Sequence, residues 1–218
     1  MGTSYNPSII TDGLVLCLDA ANKRSYPGAG TVWTDLVGGN DGTLPNGHTF
    51  DKNLGGQITL DGTDDLVSIP SITFASSGFT YSFVTKLATS MGTDYPRIIA
   101  GNKEIEWIRL NQDHLLRFRW NSSSPTSVDS NNGYFVPDEI HMYTITYNGT
   151  QVVLYRDGSA FQTLSCTSSS SCSFNTLFNR SSADRPLGGD IFQVSLYNRV
   201  LNAAEIRQNY LATKERYA

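Results

Sequence analysis

The sequence predicts an all-β protein, a sandwich of two antiparallel sheets with one short C-terminal helix. Three observations predict it. Apolar and polar residues alternate with period two in many short segments, clusters of Gly, Asn, Asp and Ser separate those segments, and only one stretch carries a convincing helix start. Two-sheet β folds run to 218 residues without dividing, so the expectation is an N-terminal arm over residues 1–12 and a single domain over 13–218.

The first apolar run is Leu14 to Leu18, where Cys17 is expected as a buried thiol. Strand segments follow at Gln57 to Leu60 and Leu66 to Ile69. Phe79 to Leu87 alternates most clearly: Phe79, Tyr81, Phe83 and Leu87 point one way, Thr80, Ser82 and Lys86 the other, which reads as a half-buried strand. Further segments are Arg97 to Ala100, Ile105 to Leu110, Leu115 to Trp120, Ile140 to Tyr147, Val152 to Arg156 and Ile191 to Tyr197. Asn148-Gly149 and Asp157-Gly158 have the chemistry of type I′ turns and predict a three-stranded meander. The polar stretch from Asn121 to Gly133 reads as a surface loop. The helix starts near Asn202, with Glu205 completing a capping box and Ile206 and Tyr210 facing the sandwich.

Composition narrows the function. A net charge of -4 and scattered basic residues, with Arg117 and Arg119 the nearest thing to a cluster, argue against a nucleic-acid partner. Two arginines on a strand read instead as a solvated face. No apolar run reaches the length of a membrane span, and the first residues have neither a basic nor an apolar signal region, so neither membrane insertion nor a secretion signal is expected. Cys166 and Cys172 bracket a short Ser-rich loop; a bridge would close it, a reducing compartment would leave two thiols, and both states fit the sequence.

Ordered landmarks carry a family resemblance. They are Gly13 to Asn22, Ser25-Tyr26-Pro27-Gly28, Trp33-Thr34-Asp35-Leu36, Asn40 to Leu44, and Leu60-Asp61-Gly62-Thr63-Asp64-Asp65-Leu66-Val67. His141 to Tyr147, Leu154 to Gly158, Gly189 to Val194 and Leu196 to Ile206 continue the series. Together they resemble laminin G-like, concanavalin A-like jelly-roll domains of the kind found in bacteriophage virion proteins. That resemblance implies two curved antiparallel sheets and a family whose members bind sugars, proteins or calcium, or decorate a surface.

Some enzymes of this family carry an E-x-D-x-E strand, and the nearest run here is Glu104-Ile105-Glu106-Trp107-Ile108. Retaining hydrolysis needs two carboxyl groups about 5 Å apart. Ile108 stands where the last acid would be, so no catalysis is expected. His48, His114 and His141 show no metal or nucleophile spacing.

Asp61, Asp64 and Asp65 share one turn, and Asp35, Asn40 and Asp41 another. Such oxygen sets either hold structural Ca²⁺, with Asp35 or Asp61 as ligand, or bond their own turn backbone. Among the aromatics, Trp120 is expected in the core, while Trp33 and Tyr95, in expected loops, are the candidate sugar platforms. The expected role is therefore a non-catalytic virion subunit at the particle surface, a capsid decoration or appendage, made in the host cytoplasm and partnered by other virion proteins or further copies of itself. The alternative is an adhesin binding a surface glycan.

Overall fold

A computed structural model describes residues 7–90, 95–101, 107–111, 115–120, 126–168 and 170–217, with the side chains of residues 107, 120, 126 and 127 outside the description. The first strands are β1 (Leu14–Asp19), β2 (Val32–Trp33), β3 (Gly42–Thr43), β4 (Thr49–Asp51) and β5 (Gln57–Asp61). Then come β6 (Val67–Phe74), β7 (Phe79–Leu87), β8 (Arg97–Ala100), β9 (Trp107–Leu110), β10 (Leu116–Trp120) and β11 (Thr126–Asp129). β12 (Ile140–Tyr147), β13 (Gln151–Arg156), β14 (Ser159–Ser165), β15 (Cys172–Leu177), β16 (Gly188–Tyr197) and helix α1 (Ala203–Thr213) close the chain.

Among the described residues these strands form two antiparallel sheets. The first runs β14-β13-β12-β7-β16-β5-β4, with β1 also on β16; the second runs β11-β10-β9-β8-β15-β6-β3-β2. This is the all-β sandwich with one C-terminal helix that the alternation predicts.

The inner faces pack aromatic side chains of both sheets together. The ring of Phe79 lies 5.1 Å from Phe74, 5.7 Å from Phe174, 6.1 Å from Tyr147 and 6.4 Å from Phe118. Offset and tilted aromatic pairs at such distances add to the burial of the rings themselves.

β7 departs from the half-buried strand expected of it. Thr80, Ser82 and Val84 are buried on its other side, because α1 lies over the outer face of the first sheet. There Val84, Met142, Phe192, Tyr197, Leu201, Ile206 and Tyr217 form a second apolar cluster. The polar groups beneath it are satisfied: Ser82 Oγ meets Thr144 Oγ1 at 2.8 Å, and Thr80 Oγ1 accepts from the Leu201 amide.

The capping box forms as expected. Asn202 Oδ1 accepts from the Ala204 and Glu205 amides, and Glu205 accepts from the Asn202 amide. Residues 8–12 lie against α1 and β16: Asn209 Oδ1 accepts from the Ile10 amide, the Tyr197 hydroxyl donates to the Ile10 carbonyl, and Arg199 pairs with Asp12.

Local chemistry explains three further differences. The meander β12-β13-β14 forms, but only its second turn has positive φ at both central residues, Asp157 (52°) and Gly158 (74°). At the first turn only Gly149 is positive, because Asn148 Oδ1 takes the Thr150 and Gln151 amides and supports a longer loop. Within the stretch read as loop, residues 126–129 form edge strand β11, since Val128 packs on the core and Asp129 pairs with Arg117. Cys166 and Cys172 are buried thiols not joined in a disulfide. No helix among the described residues is long and apolar enough to cross a membrane.

Candidate functional site

The outer face of the second sheet is built by parity. On β9, β10 and β11 the inward residues are Ile108, Leu110, Leu116, Phe118 and Val128, so Arg109, Arg117, Arg119 and Asp129 are left facing out. Strand register then sets Arg97 of β8 opposite Arg109, Arg109 opposite Arg117, and Arg117 opposite Asp129. Four adjacent strands thus carry one continuous polar row.

Tyr95 stands at the end of this row and is 41% exposed. The Pro96 carbonyl accepts from the Leu110 amide and the Arg97 amide donates to the Arg185 carbonyl, which fixes Tyr95 beside both strands. The guanidinium of Arg109 lies 4.1 Å from the Tyr95 ring centroid, and that of Arg185 lies 5.9 Å from it. Tyr95, Arg109, Asn111, Leu115, Arg117 and Asp129 line a recess of about 140 Å³.

The recess is held by its own hydrogen bonds. Arg117 donates through Nε and Nη2 to the two carboxylate oxygens of Asp129, each at 2.5 Å, a bidentate fork that fixes both groups. That fork holds the Asp129 carboxyl below the usual carboxylate range. Burial, and then the adjacent charge of Arg117, pulls the Arg109 pKa down. Asn111 Oδ1 accepts from the Leu115 amide and ties off the β9–β10 hairpin.

The other expected site residues fall elsewhere. Trp33 is not in a loop: it lies on β2 with its side chain fully buried in the core, while its neighbour Val32 faces out at 50% exposure. It offers no ring face to a sugar. The Trp120 side chain, and the Glu104 to Glu106 segment, lie outside the described residues.

Asp35 is buried, with Oδ1 accepting from the Cys17 and Val37 amides and Oδ2 from the Asn40 amide. Asp41 accepts in turn from the Asp35 amide. These bonds latch the loop after β2 onto β1 through both carboxylate oxygens.

Asp61 joins a different group. Its carboxylate and those of Asp64 and Asp65 place ligand atoms within 4.8 Å of one another. Asp61 Oδ1 accepts from the Thr63 amide and Asp65 Oδ2 from the Asp61 amide. Burial, with the charges of Asp61 and Asp64 adding to it, raises the Asp65 carboxyl pKa.

A second recess of about 140 Å³ lies beside α1, lined among others by His141, Asp157, Tyr210 and Lys214. His141 contacts Asp157 Oδ2 at 2.6 Å and Glu139 Oε2 at 3.2 Å, and the bond to Asp157 raises its pKa. This is a histidine engaged at both ring nitrogens in a structural network, as a lone strand histidine leads one to expect.

The chain is thus a two-sheet sandwich with one outer face packed under a helix and the other presenting an aromatic, polar recess. The chain belongs to the concanavalin A-like lectin/glucanases superfamily, whose model matches residues 61–207. No curated protein matches it in sequence.

Several solved structures share the fold. Domain 4 of AbnA, a GH43 extracellular arabinanase from Geobacillus stearothermophilus, solved in complex with arabinotriose, is 16% identical, TM-score 0.68, over 91% of this chain and 98% of that one. The binding domain of Paraclostridial Mosquitocidal Protein 1 is 16% identical, TM-score 0.67, over 91% of this chain and 52% of that one. A mutant Trypanosoma rangeli sialidase displaying trans-sialidase activity is 16% identical, TM-score 0.67, over 97% of this chain; the chain spans 34% of that protein's length.

Proposed function

We propose that this chain is a non-catalytic glycan-binding domain whose sugar-contacting surface is the outer face of the second sheet around Tyr95. One observation carries the reading: an exposed aromatic ring, backed by Arg109, borders a recess whose other walls are hydrogen-bonding side chains. Saccharides need that pairing, an apolar face for ring C–H groups and fixed polar groups for hydroxyls. The arabinotriose complex of the AbnA domain and the binding role named for the mosquitocidal domain support a glycan-binding reading over that of a virion subunit.

The site chemistry supports binding without hydrolysis. Asp129 is the only carboxylate on the described strand residues of the second sheet, and Arg117 engages both of its oxygens. A retaining pair needs a second acid about 5 Å away. At the position where the family's enzymes carry an acid, Ile108 points into the core.

Retention on an array of immobilised glycans tests the reading. Wild-type protein is expected to bind at least one class, and Tyr95→Ala to weaken that binding by about tenfold or more, the stacking contribution of one aromatic platform. Unchanged retention in Tyr95→Ala would place the contact elsewhere.

Calcium belongs to the same proposal as a structural ion. The Asp61, Asp64 and Asp65 carboxylates offer hard oxygen ligands, and a divalent cation there offsets their mutual repulsion. The sign follows from Asp65: its raised pKa means that ionisation costs stability as pH rises through the folded value, and a bound cation removes that cost. Saturating Ca²⁺ is expected to raise the melting temperature by roughly 5 °C over EDTA, and Asp61→Asn to abolish the shift. An identical melting curve in Ca²⁺ and EDTA would leave the three acids as turn-holding groups alone.

A further inference from the structure

Asparagine followed by glycine is prone to lose its side-chain amide, because glycine leaves its own backbone nitrogen unshielded and its dihedrals free to turn. The chain has three such pairs, Asn46-Gly47, Asn132-Gly133 and Asn148-Gly149. In sequence the three are alike; in the fold they are not.

At Asn148 the carboxamide oxygen accepts from the Thr150 and Gln151 amides, at 3.0 and 2.8 Å, and from Thr150 Oγ1 at 3.1 Å. The glycine that follows is held as well, its carbonyl accepting from the Ser168 amide at 3.1 Å. At Asn46 the carboxamide nitrogen donates to the Asp64 carbonyl, and the Asn46 carbonyl accepts from the His48 amide at 2.7 Å, closing a turn over Gly47.

Asn132 and Gly133 are different. Both are exposed, in the turn that follows β11. Among the described residues the Asn132 carboxamide has no hydrogen bond and the Gly133 amide has no acceptor. A Cβ built on Gly133 would meet nothing within 4 Å, so no neighbour crowds the turn. Anchors lie on either side of it: the Asn131 amide donates to Gln162 Oε1 at 2.7 Å, and the Gly133 carbonyl accepts from Arg156 Nη1 at 2.6 Å.

From this geometry we infer that Asn132 is a site of spontaneous deamidation, with water as the co-reactant. The Gly133 amide nitrogen gives its proton to solvent and attacks Asn132 Cγ. The new Cγ–N bond forms, the Cγ–Nδ2 bond breaks, and Nδ2 leaves as ammonia with a proton taken back from solvent. Water then opens the cyclic imide. Opening at Cγ gives aspartate; opening at the main-chain carbonyl gives isoaspartate, whose backbone runs through the former side chain. Nothing is oxidised or reduced, and either product adds one negative charge. Isoaspartate also puts one extra carbon into the backbone between the two anchors, at the edge of the second sheet.

The other two pairs are protected by the bonds described above. Cyclisation turns the carboxamide until Cγ faces the next nitrogen, and that rotation breaks whatever holds it elsewhere. Three such bonds are expected to slow Asn148 by about tenfold or more relative to Asn132, and the single side-chain bond of Asn46 to slow it less.

Peptide mass spectrometry on the full chain, held at neutral pH and physiological temperature and sampled over time, tests the assignment. The Asn132 peptide is expected to gain one mass unit first, as two chromatographically separable products, with Asn46 next and Asn148 last. In urea-unfolded protein the three rates are expected to converge, because only the fold separates them. Asn132→Ser is expected to remove the fast product and leave the melting curve unchanged, since an exposed side chain without a hydrogen bond contributes little to stability. Conversion of Asn46 or Asn148 as fast as Asn132 in the folded chain would overturn the assignment. So would an Asn132 that stays intact while the unfolded chain converts, or a rate difference that persists in urea.

Discussion

Phe79→Ala is expected to destabilise the protein by roughly 3–5 kcal/mol, the cost of an unfilled aromatic cavity in a close-packed core. Phe79 is fully buried, and the rings around it come from both sheets: Phe74, Phe118 and Phe174 from the second, Tyr147 from the first. Collapse around the missing ring is restricted because each neighbour is fixed on its own strand. Thermal and urea unfolding followed by circular dichroism should show a fall in melting temperature of about 10 °C or more for a chain of this length. A change within a few degrees would mean that the two sheets do not meet at this residue.

Asp35→Ala is expected to cost about 3 kcal/mol, because three backbone amides, of Cys17, Val37 and Asn40, lose the buried Asp35 carboxylate as their acceptor. Asp35→Asn keeps one acceptor oxygen and is expected to cost less, about 1 kcal/mol. The latch account further predicts that the Asp35→Ala deficit has the same size in Ca²⁺ and in EDTA. A deficit that appears only in Ca²⁺ would make Asp35 a metal ligand instead. Urea denaturation of the three proteins in both buffers separates these outcomes.

Much of the fold was legible because side-chain direction on a strand depends only on parity. The inward set Phe79, Tyr81, Phe83 and Leu87 follows from alternation alone, and the capping box of α1 follows from Asn202 and Glu205. Parity fails for very short strands, and Trp33 was misread for that reason: β2 is only two residues long, too short to show a period. It also says nothing of what covers a sheet from outside, so the burial of Thr80 and Ser82 beneath α1 was not legible.

The candidate site was half legible. Tyr95 stood out as an aromatic in an expected loop, and Arg117 and Arg119 as the nearest basic pair. The row Arg97, Arg109 and Arg117 was missed because it exists only through register: the three lie on different strands, and pairing across β8, β9 and β10 brings them together. The signal was present as at least one arginine on each of three consecutive predicted strands. Using it required the alignment of those strands, which alternation within each does not supply.

The central claim is that the outer face of the second sheet is where this protein meets a saccharide. Amide chemical-shift mapping by NMR, titrating the saccharide that binds most tightly, tests it most directly. The account predicts perturbations clustered at Tyr95, Arg109, Asn111, Arg117 and Asp129. Perturbations confined to the recess beside α1, at His141, Tyr210 and Lys214, would contradict it.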